Sequence, residues 1–221
     1  MPCDTESSRK TRSPDTPVAK TTLVIACGAL AHEITALQRL GNWQHIAVQC
    51  LPAELHNRPD KIPEAVRAKI QAGRDRFAHL FVAYADCGTG GLLDKVLREE
   101  GVERLPGDHC YGFFAGQNAF DAISEAELGT FYLTDFLARH FDRLIWRGMG
   151  LEAHPELLPM MFGNYTRLLY LAQKPTDDLQ HRAQQAADKL GLRYEFKQTG
   201  YGELATELTS VAEKTITWRN L

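Results

Sequence analysis

The chain has 221 residues, 44% of them hydrophobic and 24% charged, which is the balance of a globular domain and excludes a wholly disordered, collagenous or coiled-coil chain. Its 25 basic and 28 acidic residues give a net charge of −3, without the basic excess of a duplex-binding surface, so nucleic acid is not an expected partner. No apolar run approaches the roughly eighteen residues of a membrane span, so no membrane association is expected.

Residues 1–20, MPCDTESSRKTRSPDTPVAK, are polar, rich in Ser, Thr and Pro, and lack the apolar stretch of a secretory signal. Asp4, Glu6 and Asp15 argue against a transit peptide. The segment reads as a disordered tail on a cytoplasmic protein. A single domain is expected over 21–221, since no linker-like composition interrupts it.

From Thr21 onward, strand and helix patterns alternate. TTLVIA (21–26) reads as a buried strand, 29–41 as a helix and 45–51 as a second strand. A proline-rich loop (52–63), a helix (64–77), a strand (79–86), a CGTGG turn and a helix (92–101) follow. A short strand at 102–105 precedes a loop carrying His109-Cys110 and a short helix near 117–123. The apolar stretch 129–141 reads as a helix, 142–150 as a strand, 154–165 as a short helix and 166–173 as a strand. The helix at 177–191, the strand at 192–200 and the helix at 202–216 complete the chain. Such alternation predicts βαβ units: a three-layer, Rossmann-like α/β sandwich with a mostly parallel sheet of about six strands. A weak similarity between 23–37 and 80–97 suggests two related halves.

Ligands of open parallel sheets bind outside the carboxyl ends of the strands. The residues there are Cys27, Gly28 and Glu33; His56, Asn57 and Arg58; Asp86 to Gly91; His109 and Cys110; Gly148, Gly150, Glu152 and His154; Gln173 and Lys174. Topology thus gathers Cys27, Cys87 and Cys110 on one edge, where three thiolates suit zinc or an iron–sulfur cluster. His56 and His109 are candidate further ligands. Taken singly, each cysteine also reads as a small buried hydrophobe. Cys3 and Cys50 read as bystanders. Arg58 and Asn57 are candidates to hold a substrate anion, as are the backbone donors of Gly88, Thr89, Gly90 and Gly91. The same glycines also suit a plain tight turn. Asp135 and Glu33 are candidate carboxylates for orienting a ligand. Phe113, Phe114, Phe131, Tyr132 and Phe136 read as pocket walls or as core, and Leu157, Leu158, Met160, Met161 and Phe162 as a candidate dimer patch; the oligomeric state is open.

The segments LVIACGALAHEI, LPAELHNRP, FVAYADCGTGG, GDHCYGFFAG, GTFYLTDFLARHFD, GLEAHPEL, FGNYTRLLYLAQ and LGLRYEFKQTGYGEL resemble the bacterial and archaeal family called domain of unknown function 1638. The resemblance spans roughly 22–204 and carries Cys27, Cys87 and Cys110. It implies association with corrinoid-dependent methyl transfer, including methionine synthase-like systems. The expectation is then a zinc-type, thiolate-ligated protein that binds or activates a thiol such as homocysteine, with cobalamin on a partner protein. The alternatives are a non-catalytic partner of a corrinoid protein or methyltransferase, an iron–sulfur protein using the same cysteines, or a metal-free enzyme with one reactive cysteine. Whether it is an enzyme, a methyltransferase component included, is left open by the sequence.

Overall fold

A computed structural model describes residues 20–217. The expected tail, with Cys3, falls outside the described residues except for Lys20. The first unit contains β1 (Thr22–Cys27), α1 (Ala31–Leu40), β2 (Ile46–Leu51), α2 (Ile62–Gly73), β3 (His79–Ala83), α3 (Leu92–Glu100) and β4 (Glu103–Arg104). A connection through α4 (Cys110–Ala115) and α5 (Gln117–Ala126) leads to β5 (Thr130–Leu133), α6 (Asp135–Arg139), α7 (Leu158–Phe162), β6 (Arg167–Ala172), α8 (Asp177–Leu190) and β7 (Arg193–Gln198). The last helix, α9 (Gly202–Thr217), returns to pack on α1 and α4.

The fold is mixed α/β with parallel strands, as the alternation predicts. The strand count differs: seven strands among the described residues form two sheets, β2-β1-β3-β4 and β5-β6-β7, instead of about six in one. β1 is buried at all six positions, with parallel neighbours on both sides. That is the setting in which a continuous apolar, β-branched run folds as a strand. Each sheet has its own core. One surrounds Leu23, Ile25, Val82 and Ile70, and the other Leu133, Leu168, Tyr170 and Ala183. The similar segments 23–37 and 80–97 supply neighbouring strands of the first sheet, so they do not mark the two halves of the molecule.

Two expected elements exchange type. The helix read at 129–141 is a strand over Thr130–Leu133 followed by α6, whose first turn is capped by the Thr134 hydroxyl accepting from the Leu137 N–H at 3.3 Å. The strand read at 142–150 begins as a π-type helical turn, Asp142–Trp146, with Leu144 and Ile145 buried. Short apolar runs do not distinguish a buried strand from a buried helical turn. Gly148, Gly150, Glu152 and His154 therefore do not follow a strand; His154 is exposed beside Glu156. In the candidate dimer patch only Met160 is largely exposed, at 72%, while Leu157, Leu158, Met161 and Phe162 pack on the second core. No helix among the described residues is long and apolar enough to cross a membrane.

Candidate functional site

In the first sheet the chain leaves β1 for β2 on one side and returns to β3 on the other. The β1 and β3 carboxyl ends thus flank a switch point, where a parallel sheet opens a crevice. The second unit closes it: Thr134, Phe136 and Leu137 from α6 and its cap, with Leu144, face Cys27, Cys87 and Cys110 across a cavity of about 350 Å³. The structure thus brings together three cysteines, from the end of β1, the turn after β3 and the start of α4. His56 and His109 also line this cavity. Cys50 is exposed on β2 and stands apart from it.

The three thiols differ in chemistry. Cys27 ends β1 and is buried, and desolvation pushes its pKa up to about 11. Cys87 and Cys110 lie Sγ to Sγ at 3.1 Å. The hydrogen bond from Cys110 holds the Cys87 pKa below the ordinary thiol value, helped by backbone hydrogen bonds from Cys110 and Ala85. Cys110, half-buried and on the donor side of that contact, is pushed well above it, by the Cys87 hydrogen bond first and by desolvation second. The pair is thus polarised, with Cys87 the more acidic thiol and Cys110 the less acidic one. His56, crowded by the protein and repelled by His109, is held below the ordinary imidazole pKa. It is neutral and available as a nitrogen donor.

Cys87 is held by its turn. Its backbone is left-handed, φ 51°, a conformation that costs a residue with a Cβ about 1–2 kcal/mol. The Cys87 N–H donates to Asp108 O at 2.8 Å and the Asp86 N–H to Gly107 O at 3.2 Å, tying the turn to the segment that leads into Cys110. Arg104 fixes that segment in turn, donating to the Leu105 and Gly107 carbonyls and pairing with Asp94.

Tyr84, the first residue beyond β3, is 1% exposed and lines the cavity among the three thiols. Its hydroxyl leans on Cys27 and otherwise has no partner among the described residues. A buried hydroxyl without a full partner is costly. Its position at a strand end was the signal available in the sequence, but it was hidden in the apolar run 79–86.

The structure displaces several expected roles. The Gly90 and Gly91 N–H groups donate to the Asp86 carboxylate at 3.0 and 2.9 Å, and the Thr89 hydroxyl donates to it as well. The CGTGG turn therefore encloses its own anion, so the donors of Thr89, Gly90 and Gly91 are taken and form no free substrate cradle, while Gly88 lines the cysteine cavity. Asn57 donates its amide to Leu144 O at 2.6 Å, clasping the two units together rather than facing the cavity. Arg58 is exposed and outside the lining. Asp135 accepts from the Tyr170 hydroxyl at 2.7 Å and from the Gln173 and Lys174 N–H groups, so it anchors the end of β6 and orients no histidine. Glu33 and Asp135 both line a different, neighbouring cavity. Of the five aromatic residues, Phe114 and Phe136 reach the cysteine cavity.

For a metal, the donor chemistry fits: soft sulfur ligands, one already polarised toward thiolate, with imidazoles at hand. In the side-chain positions of this structure, no group of three or more His, Cys, Asp or Glu among the described residues is drawn together to hold an ion. The closest donors are the Cys87–Cys110 pair.

The model of the family described as Protein of unknown function (DUF1638) matches residues 50–208, more than half of the chain, and the chain belongs to that family. The match includes His56, Cys87, His109 and Cys110 and begins after Cys27. No curated protein matches the chain.

Proposed function

We propose that this member of the family uses the cavity between its two sheets as a thiolate site for a soft metal ion, zinc in the first instance. Cys27, Cys87 and Cys110 would hold it, with His56 or His109 as a nitrogen donor. The observation that supports this reading is the convergence of three cysteines, distant in sequence, on one cavity, one of them made more acidic by its neighbour. A bound ion of this type lowers the pKa of an incoming thiol and presents it as a nucleophile. The chain's own residues do the rest. Before an ion binds, the Cys110 S–H contact makes Cys87 the more acidic thiol and so the first ligand to deprotonate, and Phe114, Phe136, Leu137 and Leu144 form an apolar wall around room for a small thiol. The family resemblance extends the proposal to corrinoid-dependent methyl transfer, with homocysteine as acceptor and cobalamin on a partner protein.

A second reading rests on the 3.1 Å Cys87–Cys110 contact: a metal-free enzyme in which Cys87 alone is the nucleophile. Elemental analysis of anaerobically purified, untagged protein separates the two. About one zinc per chain, lost in Cys87→Ala, is the expected result. Several irons per chain would replace zinc by a cluster. A metal-free protein whose Cys87 is alkylated rapidly would overturn the metal reading in favour of the second.

A further inference from the structure

On the other side of the contact between α6 and the Gly28–Leu30 turn that leads into α1 lies a second cavity, of about 760 Å³, with a different character. Glu33 projects into it from α1. The residue is 5% exposed, and its Oε2 has no hydrogen-bond partner among the described residues. Around it stand Arg39 from α1, Arg139 from α6 and Lys174 from the β6–α8 connection. None of these three cations has an ion pair with a carboxylate among the described residues, although the protein pairs most other surface arginines. The Asp135 carboxylate in the same wall is spent on Tyr170, Gln173 and Lys174 backbone contacts.

An orphaned buried carboxyl oxygen beside three unpaired cations is an unsatisfied arrangement from both sides. We propose that this cavity is a binding site for a small organic anion, a carboxylate or a phosphate ester, held by Arg39, Arg139 and Lys174 with the protonated Glu33 carboxyl as hydrogen-bond donor. Such a donor complements an anion, whereas an ionised Glu33 would repel it. The other groups facing Glu33 are Asp135 and Arg139 from α6, Tyr201 ahead of α9, Lys174, and His32 and Arg39 of its own helix. Burial and the Asp135 charge push the Glu33 pKa up to about 7, so the donor form is present in the neutral range. The site is independent of the cysteine cavity and of any metal there.

The test is calorimetric titration of the full chain with succinate and, separately, with sulfate. Sulfate stands in for a phosphate group and keeps its charge from pH 6.0 to 8.5. Saturable binding is expected at pH 6.0 and should weaken by about tenfold or more at pH 8.5. Glu33→Gln, which keeps a donor, should bind with no such pH dependence. The double variant Arg139→Ala, Lys174→Ala, altered only at exposed side chains, should lose binding. Binding of succinate but not sulfate would assign a carboxylate ligand, and the reverse a phosphate ester. Failure of both at pH 6.0, or binding undiminished in the double variant, would overturn the proposal. So would a pH dependence that persists in Glu33→Gln, since His32 would then be its source.

Discussion

The two cavities share a border and oppose one another in chemistry. Both form where the end of β1 and the start of α1 meet α6. The first is walled by carbon and sulfur, the second by charge. Burial acts on an acid in each: it pushes Cys27 up to about 11 and Glu33 up to about 7. The same physical cause has opposite consequences at neutral pH. Cys27 becomes a firmly protonated thiol, while Glu33 becomes a group that titrates there. In the first cavity reactivity is restored locally by the Cys110 hydrogen bond to Cys87. In the second it depends on whatever settles the three cations.

The most damaging way to break this contrast is at Gly202, which anchors α9 with φ +48°. A Cβ there would meet Phe114 O at 2.3 Å and Phe113 O at 2.5 Å, both backbone atoms of α4. α4 carries Cys110 and Phe114 into the first cavity, and the adjacent Tyr201 lines the second. Gly202→Ala should cost about 3 kcal/mol or more in urea denaturation and disturb both sites together. A variant of unchanged midpoint would show that α9 docks differently.

Glu33→Gln alters the charged cavity alone. The folded-state pKa, about 7, lies above the ordinary 4.5, so ionising Glu33 opposes folding. The stability associated with its protonated form is fully present below about 4.5 and is lost as pH rises through about 7. The variant should therefore gain on the wild type between pH 4.5 and pH 8, by up to about 3 kcal/mol. Denaturation midpoints of the two proteins that run parallel across this range would remove Glu33 from the neutral titration.

Asn57→Ala should act on the cysteine side by unclasping the turn that carries His56 from Leu144, both of which line that cavity. A loss of about 1–2 kcal/mol is expected in the same denaturation assay, with succinate binding unchanged. The mildest change is Cys110→Ala. Without its donor, Cys87 should return toward the ordinary thiol pKa, and its iodoacetamide labelling at pH 7 should slow several-fold. Faster labelling would mean that Cys110 shields Cys87 more than it polarises it.

The first sheet was legible in the sequence because its central strand β1 is an apolar run buried on both faces and β3 is buried at its carboxyl end, and the positions at and beyond their ends name Cys27 and Cys87 directly. The second unit was less so. Thr130–Leu133 is only four residues long, and its side chains run without a break into Phe136 and Leu137 of α6, imitating one helical face. Leu144, Ile145 and Trp146 imitate a strand although they turn helically. The thiol trio could be named from strand ends, but its meeting depended on a strand order that no local pattern encodes. The second cavity was invisible for the same reason. Arg39, Arg139 and Lys174 are ordinary surface residues until the fold sets them around Glu33.

The Asp86 turn has a consequence for what the loop can become. Its amide donors already point inward at a carboxylate, in the manner of a loop that grips a phosphate, and the occupant is covalently part of the loop. The scaffold is a self-ligated nest. Shortening that one side chain, as in Asp86→Gly, would vacate it and free the Thr89, Gly90 and Gly91 donors it now occupies. An anion-recognition loop thus lies a single substitution away from a turn whose present work is to hold a cysteine in place.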